Sequence, residues 1–288
     1  MGFAVLGLRP PCVPAATRYR AAMDSPEAPT LHLRAADYPG ANPITGTITL
    51  EIGDESVPAL LTASLSAARF DVLLPIFQAI TDELTARGTA REAAAGRVVS
   101  CRAGCAACCR QVVPLAAVEA RAVAALVAAM PAVQRDAVTA RFAAARATLA
   151  AAGITTRAAD IVALGAAGRD AYGRAYFRLG VACPFLEAEN CSIHPQRPLS
   201  CREYLVTSPA SACADPHDTS IRPVPLAGRA SAAVTRRGKE IEGHGTVMLV
   251  DALDWAAAHP APEPEYPGIE LALSTIAQLP GRAAADGE

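Results

Sequence analysis

Eight cysteines in two groups are the residues of this sequence with the clearest chemical meaning. The first group lies within nine residues, and the second is spread over a proline-rich stretch much further along the chain. The members of the first group are Cys101, Cys105, Cys108 and Cys109, and those of the second are Cys183, Cys191, Cys201 and Cys213. Because thiolates are the soft ligands that hold zinc and iron-sulfur clusters, the pattern first predicts a metal site.

Two other interpretations of the eight thiols are weaker. A disulfide framework is typical of small secreted domains, whereas this chain has 288 residues and no recognisable export signal. Ordinary buried cysteines account for an isolated residue such as Cys12, but not for four thiols in nine residues. Metal ligation is favoured because short spacings direct several sulfurs to one point, and Gly104 suits a loop that needs a positive φ.

The adjacent residues Cys108 and Cys109 leave the number of metal centres open. Neighbouring side chains in extended backbone point to opposite sides, so these two thiols could serve different centres. We expect the two cysteine segments to come together, with the metal cross-linking distant parts of the chain. All-sulfur ligation suits an iron-sulfur cluster and zinc alike; the sequence does not decide between them, and we slightly favour iron.

Polar side chains beside the cysteines are candidates for supporting the ligands. An arginine next to thiolates would offset their charge and keep them deprotonated, which favours a site role for Arg202. For Arg102 and Arg110 an ordinary surface role is an equally good explanation. His194 follows Cys191 by three positions, and we expect it to support a ligand by hydrogen bonding instead of ligating the metal itself.

Two blocks of the sequence resemble the YkgJ-type cysteine-cluster family, which is described as a zinc- or iron-chelating domain and often labelled an iron-sulfur oxidoreductase. The first block is Cys101-x-x-Gly104-Cys105-x-x-Cys108-Cys109. The second comprises Cys183-Pro184-Phe185-Leu186, Cys191-x-Ile193-His194-x-x-Arg197-Pro198-x-x-Cys201-Arg202-x-Tyr204 and a final Cys213. The resemblance covers about residues 100–213, including a helical insertion between the blocks. It implies that all eight cysteines bind metal, supported by His194, Arg197, Arg202 and Tyr204.

Whether the chain is an enzyme stays open at this point. Flagellin lysine N-methylases carry a similar cysteine signature with an iron-sulfur cluster and S-adenosylmethionine, so methyl transfer or oxidoreductase activity is the alternative function. No glycine-rich nucleotide loop follows a strand, so no second motif supports methylation. The spacing of Cys101, Cys105 and Cys108 also matches a radical S-adenosylmethionine loop, but those enzymes resemble α/β barrels, whereas helices follow here.

Composition narrows the class of protein. A formal charge of -2 and a pI near 6.2 give no general basic field, so nucleic acid is not an expected partner. The apolar run from Leu115 to Met130 is interrupted by Glu119 and Arg121 and is too short to span a bilayer, so no membrane partner is expected either. We therefore expect a cytoplasmic, bacterial metal-binding protein whose protein partner is unknown.

Turn residues and hydrophobic periodicity predict the elements that position the cysteines. Residues 29–70 predict a small antiparallel β meander, with the clearest alternation over Thr47–Ile52. The spacing of Ile76, Phe77, Ile80 and Leu84 predicts a helix that ends near Gly88. Further helices are predicted over residues 114–130, 131–152, 159–179, 245–258 and 269–279, with a short strand over 222–226.

These elements predict a mainly α protein with a small N-terminal antiparallel β unit, of the α+β class, and a loop-rich cysteine cluster packed between helices. We expect a disordered leader over residues 1–28, the β unit over 29–70 and a helical region over 71–280. That region contains the cysteine-cluster domain at about 100–213, and a frayed tail follows over 281–288. If Met23 is the true start, Cys12 is absent from the native protein.

Overall fold

The computed structural model describes residues 30–53, 55–102, 104–215 and 219–279. Within these ranges the protein is mainly helical with a small N-terminal β unit, as predicted. The predicted leader over residues 1–28, the predicted tail over 281–288 and Cys12 lie outside the described residues. No helix in the described ranges is both long and apolar enough to cross a membrane.

The N-terminal sheet has three strands, β1 (Leu31–Arg34), β2 (Pro43–Ile52) and β3 (Glu55–Ser64), in the order β1-β3-β2. β2 and β3 form a long antiparallel hairpin, but β1 lies on the other edge of β3 and runs parallel to it. The predicted all-antiparallel meander is therefore wrong in its first strand. The parallel register places Leu33 opposite Leu61, and both side chains are fully buried on the core face of the sheet.

Helix α1 (Leu74–Ala94) packs on this sheet and buries the four apolar residues that predicted it. Pro75 lies in its first turn, where its missing N–H is tolerated. The helix continues past Gly88, so the predicted end there is wrong. Gly88 is instead a point of close approach, since a Cβ on it would lie 2.9 Å from both the Pro225 carbonyl oxygen and Val224 Cγ1.

The middle of the chain begins with a short strand and continues through four helices. These elements are β4 (Pro114–Ala116), α2 (Ala117–Ala128), α3 (Ala132–Ala151), α4 (Ala158–Ala163) and α5 (Gly165–Arg178). The predicted helix over 114–130 thus starts as a strand, and the predicted helix over 159–179 is interrupted before Gly165, whose φ is +66°. Gly153, with φ of +68°, follows the end of α3.

Short elements dominate the second cysteine segment, and regular structure returns after it. The elements are β5 (Leu186–Glu187), β6 (Asn190–Cys191), α6 (Leu199–Glu203), α7 (Ala230–Glu242), β7 (Thr246–Met248), α8 (Ala252–Ala258) and α9 (Gly268–Ile276). The strand predicted over 222–226 is replaced by an isolated bridge between Val206 and Pro223. The helix predicted over 245–258 is β7 followed by α8, and α7 was not predicted.

Small residues explain why α7 escapes detection. Its buried face consists of Ala230, Ala233, Val234 and Gly238, which allow close packing but provide almost no periodicity of large apolar side chains. α7 nevertheless belongs to the main core, which it shares with the sheet, α1 and α9. A second core lies around α2, α3 and α8, and β7 pairs antiparallel with β4 beside it.

A buried ion pair and an aromatic ring join α2 to the C-terminal helices. Arg121 pairs with Glu242 at the end of α7, and both side chains are almost completely buried. The Arg121 guanidinium also lies over the Trp255 ring of α8, 5.5 Å from its centroid. The helix that follows the first cysteine group is therefore fixed firmly to the core.

Replacing Gly88 by alanine is expected to destabilise the protein, although alanine is the better helix former. The new methyl group would press on Pro225 and Val224, and overpacking of this kind costs about 1–3 kcal/mol. Gly238→Ala in α7 is the matched control, because its Cβ would meet nothing closer than 3.7 Å and should add about 0.5–1 kcal/mol of stability. Urea unfolding measures both variants, and a stabilised Gly88→Ala protein would contradict the close approach.

Candidate metal centre

The eight cysteines lie on five short pieces of chain. Cys101 and Cys105 lie in the loop that follows α1, and Cys108 and Cys109 lie in a 3₁₀ turn over Ala107–Arg110. Cys183 precedes the β5–β6 hairpin, Cys191 ends it, Cys201 is in α6, and Cys213 is in a 3₁₀ turn over Ala210–Ala214. All eight are free thiols; Cys213 is buried and the other seven are partly buried.

Backbone hydrogen bonds bring the two cysteine segments together. The Cys183 amide donates to the Cys109 carbonyl at 2.7 Å, and the Ser100 amide donates to the Val206 carbonyl at 2.9 Å. The turn that carries Cys108 also packs against the turn that carries Cys213. The expected meeting of the two segments is thus visible in the fold, and the contacts that make it involve main-chain atoms on both sides.

The hairpin between β5 and β6 closes over the first cysteine loop. Its turn residues Ala188 and Glu189 both have positive φ, which gives the tight reversal of a two-residue hairpin. The Gly104 amide donates to Asn190 Oδ1 at 2.9 Å, and Arg110 forms an ion pair with Glu189 at 2.7 Å. Gly104 has φ of +79°, as its place in a metal-binding loop predicted.

Cys108 is the common electrostatic neighbour within the cluster. Its own pKa is raised first by a hydrogen bond with the Cys109 side chain and then by burial. Burial is the main cause of a raised pKa at five other thiols, and the Cys108 sulfur raises it further at each: Cys101, Cys183, Cys191, Cys201 and Cys213. Cys105 also raises the pKa of Cys101 and Cys213. All eight thiols are therefore electrostatically connected.

The donor chemistry of this cluster fits a soft metal ion. Burial raises the pKa of Cys183 to about 11, so the thiol stays protonated at neutral pH unless a cation stabilises the thiolate. A bound metal does this directly, because it displaces the protons of its thiol ligands. Among the described residues, no three His, Cys, Asp or Glu side chains are placed to hold a metal ion. The sulfurs are gathered into one network but not arranged around one point.

Arg197 is the cation that acts on the largest number of thiols, while Arg141 lowers the pKa of Cys183. The charge of Arg197 lowers the pKa at Cys101, Cys108 and Cys191, against the larger effect of burial at Cys101 and Cys191. One of its guanidinium nitrogens also contacts His194 Nε2, and Arg197 is the main cause of the lowered pKa of His194. The predicted supporting residues His194 and Arg197 are thus neighbours, with the neutral imidazole accepting a hydrogen bond from the guanidinium.

Arg202 and Tyr204 take different positions around the cluster. The buried Arg202 guanidinium donates to the carbonyls of Pro195 and Arg197 and pairs with Asp82 of α1 at 2.9 Å. It therefore fixes the segment that carries Arg197. The Tyr204 ring is partly buried, which raises its pKa, and its neighbours include three of the thiols and Gln111.

The buried carboxylate of Glu119 is a structural residue of the site that sequence reasoning missed. Its Oε2 accepts a hydrogen bond from the Ala116 amide at 3.0 Å, and its Oε1 accepts one from the Leu199 amide at 2.8 Å. Burial raises the pKa of Glu119 to about 7. One side chain thus joins the start of α2 to the start of α6, two residues before Cys201. The sequence signal for this role was an acidic residue in the first turn of a predicted helix. We interpreted Glu119 only as an interruption of an apolar run.

Glu203 makes an equivalent connection on the other side of α6. Its carboxylate accepts hydrogen bonds from the Ser231 amide at 2.9 Å and from the Ser231 hydroxyl at 2.5 Å. The N-terminus of α7 is a favourable place for a carboxylate, because its first amides have no partner inside the helix. α6 is therefore held at both ends by buried carboxylates.

These observations describe thiols that are partly or fully buried, on two segments whose cysteine spacing is that of a chelating motif. Residues 100–220 match the CxxCxxCC family. The family model is described as "Putative zinc- or iron-chelating domain". The matched residues include all eight cysteines of the cluster, and the N-terminal sheet lies outside them. No curated protein and no solved structure gave a significant match to the chain.

Removing the Glu119 carboxylate is expected to destabilise the scaffold of residues 100–220 without removing any proposed metal ligand. Glu119→Ala leaves two buried backbone amides without an acceptor and should lower the free energy of unfolding by about 2–4 kcal/mol. Glu119→Gln keeps one acceptor oxygen and should cost about half as much. Chemical unfolding of the metal-free protein measures both, and an unchanged Glu119→Ala stability would contradict the connecting role.

Proposed function

We propose that this is a cytoplasmic metal-binding protein whose eight-cysteine cluster chelates iron, as an iron-sulfur cluster, or zinc. The single observation that carries the proposal is the meeting of the two cysteine segments, which main-chain hydrogen bonds from Cys183 to Cys109 and from Ser100 to Val206 hold together. A match to a zinc- or iron-chelating family over the same residues supports it. The proposed ligands are Cys101, Cys105, Cys108, Cys109, Cys183, Cys191, Cys201 and Cys213.

The local structure around the thiols gives a physical reason for a metal. Between Cys183 and Cys213 the described elements are two-residue strands, single turns and the five-residue helix α6. Such elements have little stability of their own, because few of their hydrogen bonds are repetitive and few side chains pack in register. When bound, a metal would cross-link these pieces of chain, and iron would also supply redox chemistry.

The charge balance of the site supports the same proposal. Several thiolates in a partly buried cluster repel one another, so each additional ionised sulfur is harder to form. Arg197 supplies one positive charge next to three of the thiols, and Arg202 holds the segment on which Arg197 lies. The guanidinium groups of Arg197, Arg141 and Arg110 cannot balance eight thiolates, and divalent or cluster-bound iron or zinc ions would supply the remaining positive charge.

Methyl transfer from S-adenosylmethionine is the enzymatic alternative. Calorimetric binding of S-adenosylmethionine to the iron-loaded protein would favour that alternative.

Anaerobic purification of the full chain should yield a protein that retains iron or zinc. Iron in a cluster should give broad sulfur-to-iron charge-transfer absorption in the visible range, and zinc should give a colourless protein with metal detected by elemental analysis. Cys105→Ser and Cys201→Ser should each lower the retained metal, because each removes a proposed ligand.

Ser200→Ala is the matched control for this experiment. Ser200 precedes Cys201, and its hydroxyl donates only to the Pro114 carbonyl among the hydrogen bonds described, so the variant tests local disturbance without removing a sulfur. It should retain the metal content of the native protein. A folded native chain that holds neither iron nor zinc after anaerobic purification would refute the proposed function.

Arg197→Gln is expected to weaken zinc binding about tenfold, the equivalent of about one pKa unit of lost stabilisation of the thiolates. The exposed Arg102, next to Cys101, provides the comparison, since Arg102→Gln removes the same charge from a solvated position where screening reduces its effect. Competition with a chromophoric chelator measures both affinities. Equal losses in the two variants would show that Arg197 acts only through net charge.

A further inference from the structure

Strand β2 forms one open edge of the N-terminal sheet. It pairs with β3 along its whole length without a bulge, and within the described ranges it packs extensively on no other element. No hydrogen bond described outside this ladder uses a main-chain group of β2. Every second residue of an antiparallel strand directs its amide and carbonyl away from the neighbouring strand, so the outer side of β2 carries a row of main-chain groups available for pairing.

The two edges of the sheet differ in how they are protected against pairing. β1 has only four residues, and its exposed side chains are those of His32 and Arg34, with Arg34 in an ion pair with Asp37. β2 has ten residues and no charged side chain from Pro43 to Leu50. Short length and charge protect an edge strand, whereas a long, regular and uncharged edge is one that natural proteins normally cover or pair.

The first half of β2 is also uncovered on both of its faces. All five residues from Pro43 to Thr47 are exposed, and Ile44 is 44 % exposed although Ala63, its neighbour on β3, is buried. Leu65, whose amide donates to the Asn42 carbonyl, is 50 % exposed at the same end of the sheet. Exposed apolar side chains beside unpaired main chain are the features to which an additional strand binds.

The sequence of this exposed stretch reads the same in both directions. Residues 44–48 are Ile-Thr-Gly-Thr-Ile, with Gly46 at the centre. Antiparallel pairing about Gly46 would place Ile44 opposite Ile48 of a second copy on one face, and Thr45 opposite Thr47 of that copy on the other. Threonine pairs can hydrogen-bond across strands, and the isoleucine pairs would bury apolar surface.

We propose that two copies of this chain associate through β2, in antiparallel register about Gly46, to form one continuous six-stranded sheet. The strand order would be β1-β3-β2-β2-β3-β1, with a two-fold axis at Gly46. A palindromic stretch fits a second copy better than an unrelated strand, because only self-pairing requires the same residues in both directions. The sheet lies outside the residues of the metal-chelating family match, so this association is separate from metal binding.

Sedimentation velocity of the full chain over a range of concentrations tests the proposal, with a reductant present to prevent disulfide-linked species. The native protein should sediment as a dimer as its concentration rises. Gly46→Lys should remain monomeric, because two like charges would lie directly opposite each other across the axis. The variant should keep its fold, since a Cβ on Gly46 meets nothing within 4 Å and glycine is itself unfavourable in a strand. Urea unfolding checks that stability is retained.

Three further samples separate the register from a general effect of charge. Gly46→Ala adds no charge and should keep the dimer. His32→Lys places a lysine on the β1 edge and should also keep the dimer. An equimolar mixture of Gly46→Lys and Gly46→Glu should restore a dimer that neither variant forms alone, because opposite charges then face each other across the axis.

Each failure has a distinct meaning. A native chain that stays monomeric at every concentration would overturn the proposal and leave the β2 edge to another protein or to residues outside the described ranges. Dimers that persist in Gly46→Lys, a dimer lost in His32→Lys, or a mixture that does not associate would each overturn pairing about Gly46. Metal content measured on the same samples reports on the proposed metal binding independently of these results.

Discussion

The meeting of two main-chain segments is the constraint on which the site depends. Cys183 and Cys109 are far apart in sequence, yet the amide of one donates to the carbonyl of the other at 2.7 Å. A backbone hydrogen bond fixes the separation of two chain segments whatever their side chains do, so the sulfurs on both segments are confined to one region. In the second segment, α6 packs against α1 and α7, and its first residue donates a hydrogen bond to Glu119 of α2.

Two buried carboxylates connect the helical scaffold to α6, the helix that carries Cys201. Glu119 and Glu203 are both almost completely buried, and each accepts hydrogen bonds at the start of a helix. Burying a carboxyl group is costly unless its oxygens are satisfied, and here main-chain amides satisfy them. The same burial raises the pKa of both groups. The position of α6, and with it Cys201, therefore depends on these polar contacts together with the packing of Leu199 in the main core.

The sequence was sufficient to predict that the two cysteine segments meet in the folded chain. Cysteine spacing is a local property, and Gly104 has the positive φ that its position in a loop predicted. Hydrophobic periodicity also predicted the mainly α architecture and the buried face of α1. Long-range connections could not be read in this way, because the hydrogen bond from Leu199 to Glu119 joins residues with no shared pattern.

Three further differences between prediction and structure concern the role of Arg202, the existence of α7 and the direction of β1. Adjacency to Cys201 favoured Arg202 as the neutralising cation, but its guanidinium reaches Asp82 on α1, while Arg197 is the group whose charge is felt at three thiols. α7 was missed because its buried face consists mostly of alanine and glycine. β1 pairs parallel with β3, on the edge that β2 leaves free. Neither preference has a local signature in the sequence.

The hydrogen bond between Cys183 and Cys109 also closes a loop. The chain between these residues leaves the cysteine cluster, forms α2 to α5 and returns to the point at which it left. Loop-closure entropy grows only slowly with length, so the many residues between the two cysteine groups add little to the entropic cost of bringing the groups together. The helices of this stretch then recover stability by packing into the second core and its neighbouring cluster.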